Sequence, residues 1–154
     1  MTMQARMKNP ALLLPHGMEA IQALYRAMAA GGVDPRTMEL VHLRASQING
    51  CGACVHAGVT NARKAGESDE RLHATAGWYD SPLFDDAERA ALVLTEAVTR
   101  LSDRPGQVTD EIWAEASKHY DEQQLAAIIL MIATTNFFNR INTTIKEPAG
   151  TSWS

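Results

Sequence analysis

Long apolar runs are missing from this sequence. The longest, Leu125–Ala133, has nine residues, against roughly 18 for a membrane-spanning helix. Ala11–Leu14 follows the basic residues Arg6 and Lys8 but is ended by Pro15, too short for the apolar core of a secretory signal. The chain is therefore expected in the cytoplasm. An excess of positive charge is missing too: 14 Lys and Arg stand against 18 Asp and Glu, a formal net charge of −4. That balance argues against nucleic acid or an anionic membrane as the main partner and leaves a small-molecule substrate open. Period-two alternation is nowhere sustained long enough for a convincing strand, so the class is all-α. No repeat, low-complexity tract or linker divides the chain, and 45% hydrophobic with 21% charged residues is the balance of a globular protein. One domain over 1–154, with its core over about 18–145, is the expectation.

Cysteine is scarce: there are two, three positions apart. A loop that small removes little chain entropy when closed, and reducing compartments disfavour stapling disulfides. A redox or metal-binding role therefore outranks a structural one.

The punctuation marks helices, about six to seven of them, in a single bundle. His16 to Ala30 carries Ile21, Leu24 and Met28 at helical spacing and stops at Gly31–Gly32. Asp34–Pro35 opens a helix to about Ile48. Asn49–Gly50 is a turn signal, and the next helix starts near Cys51 and ends at Gly66. Ser68 caps a short helix to about Ala76. Asp85 with Glu88, and Asp121 with Gln124, have capping-box spacing ahead of helices Asp86 to Leu101 and Glu122 to Asn142. Thr109 caps a helix to about His119, and the tail after Pro148 is expected to fray. The stretch Leu125–Ala133 is apolar all round, so it should be buried on every side. A single domain of this size has little room for that, which points to a homo-oligomer, with a central core helix in a monomer as the plainer alternative.

Cys51 and Cys54 lie at i and i+3, about 60° apart around a helix, so the two thiols share a face and can close a disulfide. Unpaired backbone N–H groups at the start of that helix should stabilise a Cys51 thiolate. Zinc is the rival, but it wants four ligands. His56 is the one histidine nearby; a zinc site would need His42 or another distant histidine. Neither a metal nor an organic cofactor is expected. The βαβ setting of a thioredoxin-type CxxC is missing.

Glu39–Leu–Val–His–Leu–Arg–Ala–Ser–Gln–Ile–Asn–Gly–Cys–Gly–Ala–Cys54 resembles the carboxymuconolactone decarboxylase and alkyl hydroperoxidase D family. The likeness continues through Asn61–Gly66, Trp78, Ser81–Phe84, Asp86–Leu92 and Asn139–Asn142, from about Met18 to Ile145. It implies an all-helical fold assembled as a homotrimer or homohexamer. It also implies peroxidase chemistry on hydroperoxides, with a dithiol or disulfide reductase recharging the pair. By position Cys54 resembles the cysteine that attacks peroxide, Cys51 the resolving cysteine, and Glu39 the proton-relay carboxylate. Helix-terminus physics favours Cys51 as nucleophile; the resemblance favours Cys54.

One departure stands out. The family usually has a histidine four residues after the second cysteine, and here that position is Gly58; a second family histidine would fall at Ala53. His56 points in a different helical direction and is carried as a candidate relay, with a subunit contact or solvent as its plainer role. Glu39 is then the remaining base. His42 reads as a helix-surface residue or an ion-pair partner, Ser46 and Asn49 as packing and turn residues, and Trp78 and Phe84 as core or pocket wall. Met18, Met28, Met38 and Met131 read as core filler. Two functions compete with a thiol peroxidase: a decarboxylase of a γ-lactone carboxylate, whose branch does not depend on a cysteine pair, and a non-catalytic redox-sensing or binding oligomer.

Overall fold

A computed structural model describes residues 2–151, and every described regular element is helical. The helices are α1 (Pro10–Leu13), α2 (Gly17–Ala29), α3 (Pro35–Asn49), α4 (Gly52–Lys64), α5 (Asp69–Ala74), α6 (Asp86–Thr99), α7 (Asp110–His119) and α8 (Glu122–Ile145), with a 3-10 helix at Thr75–Asp80 between α5 and α6. The count exceeds the expected six to seven because α1 and the 3-10 helix are too short to carry a 3.6-residue pattern.

Local chemistry sets most boundaries. The Asp34 carboxylate accepts the Arg36 N–H ahead of Pro35, and Ser68 and Thr109 do the same for α5 and α7. Both capping boxes form, with Glu88 and Gln124 reaching back to the backbone N–H groups of Asp85 and Asp121. α1 is capped by the buried Asn9 side chain.

α3 is the spine. Val41 and Met38 face one apolar cluster with Leu94 of α6 and Ile128, Met131 and Ile132 of α8. Leu40 and Leu43 face a second with Ala62 of α4, Leu72 of α5, Trp78, Phe84 and Leu92. Trp78 and Phe84 are thus core, as expected, as are Met28, Met38 and Met131, while Met18 belongs to a cavity wall. Leu43 is wholly buried; truncating such a residue to alanine costs about 2–5 kcal/mol.

α8 departs from the expectation of burial on every side. Ile128, Met131 and Ile132 are buried, but Ala126, Leu130, Ala133 and Phe137 form an exposed stripe. At 24 residues α8 is long enough to cross a bilayer, yet half of its most apolar window lies inside the bundle. Its lower half carries Thr135, Asn136, Asn139 and Asn142, all hydrogen-bonded within the protein. That is the pattern of a core helix. The N-terminal segment lies against its C-terminal end: the Arg6 N–H donates to Ile145 O at 2.7 Å and Arg6 Nη1 to Thr144 O at 3.1 Å. Past Pro148, Gly150 and Thr151 form part of the same cavity wall. Residues 152–154 lie outside the described part.

Candidate active site

The site begins at the turn between α3 and α4. Gly50 takes φ +67°, a left-handed conformation that costs glycine little, and ends α3. The chain then places Cys51 at the N-cap of α4, where its sulfur accepts the Cys54 N–H at 3.3 Å. Cys51 and Cys54 are joined in a disulfide with their Cα atoms 5.3 Å apart. Both residues are buried, but only Cys54 lines the neighbouring cavity. Access therefore agrees with the role that the resemblance gives Cys54, while the helix terminus favours negative charge on Cys51.

A polar layer from α8 supports this turn. Asn49 Nδ2 donates to Asn136 Oδ1 and Asn139 Oδ1 at 2.9 and 2.8 Å, and Asn139 Nδ2 donates to Ser46 Oγ at 3.1 Å. Ser46 and Asn49 thus do serve packing and the turn. One helical turn further, Asn142 Nδ2 donates to Cys54 Sγ at 3.4 Å. Asn142 Oδ1 in turn accepts from Asn9 Nδ2 at 3.5 Å. Asn142 was within the family-like segment but carried no signal of its own; its partner sulfur is 88 positions away.

The cavity beside Cys54 measures about 540 Å3. Met18, Ile21 and Tyr25 of α2, Phe138 of α8 and Pro148 supply its apolar walls, and Gln22, Thr60, Asn61, Lys64 and Glu147 its polar rim. Burial, assisted by the Glu39 charge, pushes the Tyr25 hydroxyl up to about 12, so it stays neutral near physiological pH. Among the described residues no three His, Cys, Asp or Glu side chains converge as a metal centre would need.

Residues 15–97 match the carboxymuconolactone decarboxylase family. The chain belongs to this family. Protein YdfG of Bacillus subtilis is 32% identical over 130 residues, which cover 84% of this chain and 87% of YdfG. Protein YnjA of Escherichia coli is 36% identical over 118 residues, covering 76% of this chain and 63% of YnjA. The fold is shared with a solved structure from Agrobacterium tumefaciens, described as a proposed antioxidant defence protein AhpD. That match has a TM-score of 0.86 and 28% identity, and covers 97% of this chain and all of the other.

Position 58, where the resemblance led to the expectation of a histidine, is glycine, and the chain's own histidines lie elsewhere. His56 sits on the exposed face of α4 at the outer cavity wall, where a Cβ at Gly150 would meet its ring at 3.7 Å. Glu39, half-buried on α3, does not meet it. Glu39 Oε2 lies instead 3.2 Å from His42 Nδ1, one turn along the same helix. His42 is paired with Glu39, one of its two expected roles, and is not a surface residue: its side chain is 13% exposed and it lines the Cys54 cavity. Glu39 therefore has a histidine partner although position 58 is glycine. The sequence read His42 as a surface or ion-pair residue because Gly58, which lies beside its ring, is on another helix. The i, i+3 spacing to Glu39 was the one available signal.

Proposed function

We propose that this protein is a thiol-dependent oxidoreductase that reduces hydroperoxides through the Cys51–Cys54 pair. One observation carries the reading: the pair closes as a disulfide with the Cys54 sulfur on a cavity wall and an amide donor, Asn142, aimed at it. A donor to sulfur favours the thiolate, which is the form that attacks.

In the reduced protein the Cys54 thiolate attacks the terminal oxygen of ROOH. An S–O bond forms, the O–O bond breaks, and RO⁻ leaves and takes up a proton as ROH. Cys54 is then a sulfenic acid. The Cys51 thiol attacks that sulfur, the S–S bond forms and water leaves. Two thiols are oxidised and one peroxide is reduced. A dithiol donor reverses the change by attacking Cys54 from the cavity and expelling Cys51 as a thiolate, stabilised at the helix N-terminus by the Cys54 N–H. The reading places this cycle in the cytoplasm, in a homotrimer or homohexamer recharged by a dithiol or disulfide reductase.

The test uses purified protein, reduced and freed of reductant, then mixed with an alkyl hydroperoxide. Loss of two thiols per chain and one alcohol formed per disulfide are expected, with the disulfide located by mass spectrometry. Two thiols left intact, or release of carbon dioxide from a γ-lactone carboxylate, would overturn the reading. A disulfide formed once but never turned over by any dithiol would make the protein a redox sensor.

A further inference from the structure

We propose that His42 is the proton acceptor for the Cys54 thiol and that Glu39 positions it, the base being carried on α3 in the space that Gly58 leaves open on α4. The inference rests on the thiol chemistry proposed above and adds the residue that moves its proton. Three observations meet. The His42 ring is packed inside the protein with Nδ1 at 3.2 Å from Glu39 Oε2. The same ring lines the cavity whose wall holds Cys54. A Cβ built at Gly58 would lie 3.6 Å from His42 Nδ1 and 3.5 Å from Leu43 Cα, so the imidazole lies over the glycine.

The chemistry follows from hydrogen-bonding capacity. An ionised carboxylate only accepts, so in the neutral ring Nδ1–H donates to Glu39 and Nε2 keeps its lone pair. A base oriented by a third group beside a thiol is the general arrangement for activating a nucleophile. The Cys54 proton passes to His42 Nε2 as the thiolate forms, and His42 returns it to the alkoxide when the O–O bond breaks. No proton is gained or lost over the step. The other titratable groups around the same cavity are Tyr25, His56, Lys64 and Glu147. Of these His56 lies at the outer wall, and none shares the hydrogen bond that joins Glu39 to His42.

Gly58 is informative because the space alone does not demand glycine. Contacts of 3.5–3.6 Å from a Cβ are ordinary, so alanine fits, and in a helix interior it should stabilise the protein. A longer side chain grows out from a point already touching the His42 ring. A histidine at 58 and one at 42 therefore compete for one place beside Glu39.

The experiment follows two readouts on reduced protein. The first is the rate of iodoacetamide alkylation of Cys54 across pH, in a Cys51→Ser background that keeps a good N-cap. The second, with both cysteines present, is the rate of disulfide formation with tert-butyl hydroperoxide. His42→Gln should lower the peroxide rate by about 10²–10⁴-fold and remove one limb from the alkylation profile. Gly58→Ala should change neither. Gly58→His alone should not accelerate the protein, whereas His42→Ala with Gly58→His should recover much of what His42→Ala loses. The inference is overturned if His42→Gln keeps the wild-type profile and rate, or if the double substitution is no better than His42→Ala. A protein inert to peroxide whose alkylation still depends on His42 would sink the peroxidase reading and leave this one standing.

Discussion

The Asn142 amide is held at one end by Asn9 and gives its N–H to Cys54. A hydrogen bond to a charged group contributes about 1.5–3 kcal/mol, and about 1.4 kcal/mol corresponds to one pH unit. Asn142→Ala should therefore raise the pH midpoint of Cys54 alkylation by about one to two units, while the disulfide still forms. An unchanged midpoint would show that the amide does not reach the thiolate. Legibility at this scale divides by distance along the chain. Cys51, Cys54 and Glu39 were readable because the family motif is contiguous. Asn142 was not, since its partners Asn9 and Cys54 lie far off in the chain, and of His42 only the i, i+3 spacing to Glu39 was. The same limit explains why His56, inside the motif, attracted attention that its exposed position on α4 does not support.

Among the helices, α6 carries two polar junctions. The Glu96 carboxylate accepts the Trp78 indole N–H at 2.8 Å and Arg44 Nε at 2.8 Å, with Arg100 at 2.9 Å. Desolvation pushes its pKa up, but the bonds to Trp78 and Arg44 outweigh that and hold it below the usual carboxylate range. A carboxyl whose pKa is lower folded than unfolded adds stability above the unfolded value, and that part fades as the pH falls through the folded one. Urea midpoints should thus fall in acid for the wild type and fall less for Glu96→Gln. Equal acid slopes would remove Glu96 from the account.

At the start of α6, Arg71 binds Glu67, Glu88 and the Leu83 carbonyl together. The Glu67 side chain is 2% exposed, so removing its partner strands a buried charge. Arg71→Met should cost about 3–5 kcal/mol in urea unfolding, and much less when combined with Glu67→Gln. The capping boxes were legible because each spans four residues. The 3-10 helix was not: Arg89 secures the carbonyls of Trp78, Tyr79 and Ser81, and that arginine lies on the next helix.

Over the whole molecule, the exposed stripe of Ala126, Leu130, Ala133 and Phe137 lies on the opposite side of α8 from its buried residues. The family-like assembly proposed above would cover it with copies of the same chain. Sedimentation should give a trimer or hexamer at micromolar concentration. Leu130→Glu and Phe137→Glu should each shift it toward monomer without unfolding it. A wild-type monomer would refute the assembly. Phe137 meets Phe138 edge-on, with ring centroids 5.2 Å apart, and Phe138 lines the Cys54 cavity. Assembly and substrate access are then mechanically adjacent, and the glutamate variants should be assayed for peroxide turnover as well as mass.

The bond from Asn9 to Asn142 spans 133 positions, and the one from Asn142 to Cys54 spans 88. During synthesis the two thiols leave the ribosome long before the amide that tunes one of them. A nascent chain therefore carries Cys54 without its Asn142 donor, with α3 already made but α8 not. The share of Cys54 reactivity that the Asn142 donor supplies should appear late, when α8 docks, on top of what His42 on α3 supplies earlier. Stalled chains ending before and after residue 142, once extended clear of the exit tunnel, would register that gain as a step in thiol oxidation rate.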